Sequence, residues 1–189
     1  MKKPIFALML ADFFDFAGLF MMVPIITPLI MQSHFLGSGA SYTTKTILIG
    51  VLVAAFGVGQ LLGGPILGQL SDQHGRKKVL TITFLGTALA YLIGAVGLVF
   101  HSVLLLLLCR LTAGFASGTG AILFAAASDL GHDDQTKARN IAYLTGAIEI
   151  GLIAGALLGA QLSNNQWVPW FGPAVPFCFF ALAKFAASS

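Results

Sequence analysis

Six long apolar runs divide this sequence, and they constrain its fold more than any other feature. Each run approaches the ~20 apolar residues that a helix needs to cross the hydrocarbon core of a membrane. Only 9% of the 189 residues are charged, against about 25% in a typical soluble domain. The sequence therefore predicts an all-α, polytopic integral membrane protein in a lipid bilayer, one bundle over residues 1–189. The six predicted transmembrane helices cover residues 5–31, 46–70, 79–100, 103–127, 141–162 and 170–187.

The basic residues predict how the bundle lies in the membrane. Eight of the ten Lys and Arg residues fall at the N-terminus, after the second and fourth spans, and in the C-terminal tail. The loops between these positions carry only Lys45. Because short cytoplasmic loops are enriched in Lys and Arg, we expect both termini on the cytoplasmic side of the cell (inner) membrane.

Several function classes are not expected from these residues. The bases form no face interleaved with aromatic residues, so no nucleic-acid partner is predicted. The four histidines share no ligand spacing, and neither a metal nor a cofactor is predicted. Cys109 and Cys178 lie within apolar runs, which is typical of core residues rather than of a disulfide. No nucleophile–base pair appears, so the chain is not predicted to be an enzyme.

Four charged residues fall inside the predicted spans and are the candidate proton or substrate site. Asp12 and Asp15 lie three residues apart in the first span, Arg110 lies in the fourth and Glu149 in the fifth. An ionised side chain at mid-bilayer costs at least ~2.5–3.5 kcal/mol, so such residues usually face a protein interior or a water-filled cavity. A structural ion pair, for example Asp15 with Arg110, is the alternative to a proton or substrate site.

Glycines recur four residues apart in the fourth and fifth spans. Gly114 and Gly118 form one pair, and Gly151, Gly155 and Gly159 form a series. Small residues at this spacing make a flat stripe against which another helix packs closely. The stripes indicate tight packing within the bundle, or alternatively smooth faces along which helices rock.

The densest charge cluster, "GQLSDQHGRKK", connects the second and third spans. It resembles the signature loop of the major facilitator superfamily, which runs G-x-L-a-D-r-x-G-r-[kr]. The residues that match this pattern are Gly68, Leu70, Asp72, Gly75, Arg76 and Lys77. Gln73 departs from it by replacing the usual base. From its position alone, Asp72 is expected to accept hydrogen bonds from free N–H groups at the start of the third span. Gly75 is expected to permit a tight reversal of the chain, and Gly68 to permit close approach of another helix.

"CRLTAGFASGTGA" in the fourth span resembles the second motif of that family, with the arginine at Arg110. The first span, with an early acid and a late "PIITP", is similar to that of the drug:proton antiporter branch. "GLIAGALLGA" in the fifth span matches only part of the antiporter motif G-x-x-x-G-P-x-x-G-G. Ala156 replaces its proline and Ala160 its last glycine.

The resemblance implies half of a major facilitator fold, an N-terminal-type set of six helices arranged as a 3+3 inverted repeat. In that family two such halves enclose a mid-membrane substrate site. The implied function is secondary transport of a small organic molecule by alternating access, with proton-coupled efflux. The implied partner is a second six-helix half, either another copy or a separate chain, and Asp72 and Arg76 would latch the cytoplasmic gate against it. The alternative is a non-transporting half-bundle that binds or regulates a membrane partner.

Overall fold

The structure, a computed structural model, describes residues 3–32 and 40–162, and nearly all of them are helical. The helices are α1 (Lys3–Gln32), α2 (Tyr42–His74), α3 (Arg76–Val99), α4 (Val103–Ala116), α5 (Gly120–Asp129) and α6 (Asp134–Leu162). The described residues contain no strand, and the predicted all-α class is confirmed.

Five helical segments in this part of the chain are long and apolar enough to cross a membrane. They are Leu8–Met31, Tyr42–His74, Arg76–Val99, Val103–Asp129 and Asp134–Gln161. Each overlaps one of the first five predicted spans. The sixth predicted span, 170–187, lies outside the described residues.

Helix ends differ from the predicted boundaries where polar residues cap them. The second helix begins at Tyr42 because the Ser41 side chain accepts a hydrogen bond from the Thr44 amide at 3.3 Å. The fifth span begins at Asp134, two turns before its predicted start, and the Asp133 carboxylate accepts from the Thr136 amide at 3.1 Å. Hydrogen bonds from the Thr136 side chain and from this amide hold the pKa of Asp133 below its usual value. Polar residues predicted as loop therefore extend the helix beyond the apolar run.

The fourth span, predicted as one helix, is divided into α4 and α5 at residues 117–119. The sequence there is Ser-Gly-Thr, and all three residue types are weak helix formers. A Cβ atom at Gly118 would lie 2.5 Å from the Gly64 amide nitrogen of α2. The interruption therefore coincides with a backbone contact between two helices.

Glycine-mediated contacts join the helices in two principal pairs. In the first pair α2 packs on α4, where Cβ atoms at Gly59 and Gly63 would collide with the backbone at Leu111 and Phe115. Gly114 faces the backbone of Phe56 in the same way.

The second pair is α1 with α6, which is the fifth span. The α6 glycines Gly151, Gly155 and Gly159 lie against the backbone of Phe13, Ala17 and Met21 respectively. An inverted repeat relates the first span to the fourth and the second to the fifth. The packing of span five on span one and of span two on span four follows that relation.

The largest buried cluster lies between the two pairs and includes Met21 and Ile25 of α1, Leu52 of α2, Tyr91 of α3 and Leu106 of α4. The first helix continues through Pro24 and Pro28 without interruption.

We predict that Gly155→Val lowers the stability of the bundle, whereas Gly146→Val on the same helix does not. A side chain at position 155 meets the Ala17 backbone, which cannot move aside like a flexible side chain, and overpacking of this kind typically costs about 1–3 kcal/mol. A Cβ at Gly146 meets nothing within 4 Å. Thermal unfolding in detergent measures both variants. Equal stability losses would show that the α1–α6 contact does not depend on the glycine stripe.

Candidate functional site

Three of the four predicted intramembrane charges are buried in the protein. Asp12 and Asp15 of α1 are 1% and 6% exposed, and Arg110 of α4 is 2% exposed. These side chains therefore face the bundle interior rather than lipid, as expected for charged groups within a span.

Arg110 is held by α2. Its Nε donates to the Leu52 carbonyl at 3.3 Å, and its guanidinium carbon lies 4.9 Å from the centre of the Phe56 ring. The second contact is a cation–π interaction, which gains strength when water is excluded. Its Nη1 has no hydrogen-bond partner among the described residues.

Asp15 contacts the interruption between α4 and α5. The Ser117 hydroxyl donates to Asp15 Oδ1 at 3.4 Å, a long hydrogen bond between the first and fourth spans. One turn after Asp15, α1 meets the fully buried Tyr91 of α3. A Cβ atom at Gly18 would come within 2.5 Å of the Tyr91 hydroxyl oxygen. Sequence reasoning did not single out Ser117 or Tyr91. The Ser-Gly-Thr-Gly run was the available signal for Ser117.

The structure does not bring Glu149 into this cluster. Its side chain is exposed on α6, because the helix turns 100° per residue and the buried stripe through Ala147 and Gly151 lies ~200° from it. Asp12, Asp15 and Arg110 are thus each buried in the bundle, whereas the fourth predicted residue faces outward.

The signature loop is a tight reversal between α2 and α3. Gly75 has a φ of +89°, a conformation that L side chains rarely adopt. The next residue, Arg76, places Nη1 2.6 Å from Asp129 Oδ2 at the end of α5. This ion pair connects the loop to the fourth span. Asp129 was not singled out from the sequence, although it is the first residue of the predicted loop after the fourth span.

The expected cap by Asp72 is not formed. The N-terminus of α3 has no side-chain cap, because α2 continues to His74 and leaves Asp72 exposed on its last turns. Lys77 is also exposed, and Leu70 is half-buried against the core cluster that contains Leu67. A Cβ at Gly68 would meet nothing within 4 Å, so this glycine makes no close helix contact in the described part of the chain. No metal-ligating cluster of His, Cys, Asp or Glu occurs there either.

Comparisons with known proteins agree with the family suggested by the loop. The family model described as Major Facilitator Superfamily matches residues 8–188. Tetracycline resistance protein, class H, from Pasteurella multocida is 32% identical over 184 residues, 97% of this chain and 42% of that protein. The class C tetracycline resistance protein of Escherichia coli is 31% identical over 148 residues, 78% of this chain and 35% of that protein.

Quinolone resistance protein NorA from Staphylococcus aureus is 29% identical over 170 residues, 87% of this chain and 39% of that protein. Among solved structures, the human organic anion transporter MFSD10 (TETRAN) superposes with a TM-score of 0.74 at 23% identity, over 98% of this chain and 47% of that one. The chain spans less than half the length of each of these relatives. It belongs to the major facilitator superfamily, which is a family of transporters rather than enzymes.

We predict measurable coupling between Arg76 and Asp129. Both side chains are partly exposed, so the pair is expected to contribute roughly 0.2–1 kcal/mol to stability. A double-mutant cycle with Arg76→Gln and Asp129→Asn, read by unfolding in detergent, measures this energy. Lys77→Gln combined with Asp129→Asn is the control and should be additive. Additivity in both cycles would contradict a specific ion pair.

Proposed function

We propose that this member of the major facilitator superfamily forms one six-helix half, residues 1–189, of a secondary transporter. The transporter would move a small organic molecule across the cell (inner) membrane by alternating access, with both termini in the cytoplasm. The family match supports transport, and the loop-charge distribution supports the orientation.

The observation that carries the proposal is the buried pair of carboxylates on α1. Asp12 and Asp15 lie inside the bundle on the first span, and Arg110 is buried on the fourth. An ionised carboxylate at this depth is costly, and a proton or a cationic group of the substrate would neutralise it. Exchange of a proton for a cationic group of the substrate at Asp15 or Asp12 would couple proton movement to substrate movement. Arg110, whose Nη1 has no described partner, would bind an anionic group or tune these carboxylates.

Efflux is the proposed direction, and an amphipathic drug-like molecule the proposed substrate class. The names of three relatives describe resistance to tetracycline or to quinolones. The first span also carries aromatic side chains, since Phe13 and Phe14 pack edge to face with ring centres 5.4 Å apart. Aromatic side chains with a few charged groups suit such a ligand.

A second six-helix half would complete the transporter, as another copy of this chain or a separate one. Glu149 on α6 and Asp72 on α2 are exposed, although Glu149 lies within a span. A carboxylate in that position requires a water-filled cavity or a protein partner. Gly68, with open space beside it, allows a helix of that half to approach α2.

The signature loop would act as the cytoplasmic latch. The Arg76–Asp129 ion pair fixes the loop to the fourth span, while the exposed Asp72 remains available to the second half. We propose that contact through Asp72 favours the state closed to the cytoplasm.

Transport by the assembled protein in proteoliposomes tests the function. A proton moved through 100 mV is worth ~2.3 kcal/mol, which supports a tracer gradient of roughly 50-fold. With tetracycline as the probe, the parent should accumulate it under a proton gradient, and the Asp12→Asn, Asp15→Asn double variant should approach no accumulation. Asp134→Asn, an exposed acid at the start of α6, is the control.

Gradient-driven transport that is unchanged in the double variant would refute the coupling assignment. A purified chain that remains a six-helix monomer with no transport would instead favour a half-bundle that binds or regulates another membrane protein. Light scattering in detergent distinguishes the two assembly states.

A further inference from the structure

An apolar groove lies on the outside of the bundle between α2, α3 and α4. Its volume is ≈ 530 Å³. Its floor is made of small residues, among them Gly86, Ala90 and Ala116, and its rim includes the exposed Leu62 and Leu89. The groove is separate from the proposed transport site, since neither Asp12, Asp15 nor Arg110 lines it.

The lining offers almost nothing to a polar ligand. Thr112 is its one residue with a polar side chain, and that hydroxyl already donates to the Leu108 carbonyl at 2.7 Å. The groove lies within the apolar spans of all three helices. A hydrocarbon chain therefore fits it, and the bilayer supplies such chains on every side.

A lysine stands at the cytoplasmic end of the same side of α3. At 100° per residue, Lys78 lies ~70° from the mean direction of the α3 residues that line the groove, Gly86, Leu89, Ala90 and Ile93. The rise of 1.5 Å per residue puts the groove ~12–22 Å from Lys78 along the helix, so it begins within the ~15 Å depth of one leaflet and extends to the bilayer midplane. Lys78 is exposed and forms no ion pair with a described carboxylate.

The neighbouring bases differ from Lys78. Arg76 forms an ion pair with Asp129. Lys77 lies on the side of α3 away from the groove, ~170° from the mean direction of the α3 residues that line the groove. One free ammonium group is thus aligned with one hydrocarbon groove, at the distance between a phospholipid phosphate and the terminal half of its acyl chain.

We propose that this groove binds one acyl chain of an anionic phospholipid of the cytoplasmic leaflet, with the phosphate held by Lys78. The basic residue selects the anionic headgroup, and the groove between α2, α3 and α4 selects a fixed position for the chain. The bound lipid would cover apolar surface at the α2–α4 contact. The proposal concerns a lipid site and does not depend on what the protein transports.

Native mass spectrometry of the purified 189-residue chain, titrated with phosphatidylglycerol or phosphatidylcholine, tests the site. We expect the chain to prefer phosphatidylglycerol by about fivefold or more, the effect of one lysine near an anionic surface. Lys78→Gln should remove this preference, whereas Lys77→Gln should leave most of it. Gly86→Leu fills the floor and should abolish tight binding of both lipids.

Gly86→Ala is the matched control, because its Cβ would lie 3.6 Å from the Ala116 Cβ, an ordinary contact. It should bind lipid as the parent does. Leu89→Trp, at an exposed rim position, gives a second groove variant should Gly86→Leu fail to fold. Undiminished binding in a folded groove variant would overturn the site. Equal affinity of the parent for both lipids, or equal losses with Lys77→Gln and Lys78→Gln, would overturn the role of Lys78.

Discussion

Backbone contact through glycine is the interaction on which the rest of the structure depends. Where Gly155 meets Ala17 and Gly63 meets Phe115, no side chain separates the helices. These contacts fix the rotation of each helix as well as its distance. Asp15 is two residues from Ala17, ~200° around α1, so the side of α1 that faces α6 is opposite the side that carries Asp15. The glycine stripe thereby directs the carboxylate toward Ser117 and the bundle interior.

The same rotation explains why Glu149 is exposed. Its helix uses Gly151 and Gly155 to contact α1, and Glu149 lies on the opposite side. A charge that a soluble protein would place in water is here within a span. Glu149 and Asp72 are exposed positions that a second bundle is proposed to cover, whereas Asp12, Asp15 and Arg110 are buried within this bundle.

The fold class could be predicted because the length of an apolar run that spans the membrane depends on the bilayer thickness alone. Gly75 could be recognised as a reversal because few other residues adopt its φ. The division of the fourth span could not be predicted, since it coincides with the contact of Gly118 with Gly64, a residue 54 positions away in the chain. The partner of Arg76 was missed for the same reason. Asp72 was expected to cap α3, but α2 extends past it, because helix ends are set by local capping rather than by apolar content.

Proton release on ligand binding tests the central claim, that Asp12 and Asp15 exchange a proton for substrate. The assembled protein is mixed with a ligand whose binding has been established, in weakly buffered solution, and a pH indicator follows the protons. The account predicts release by the parent and none by the Asp12→Asn, Asp15→Asn variant, at equal occupancy of the site. Equal release by both proteins, or binding by the parent without release, would contradict it.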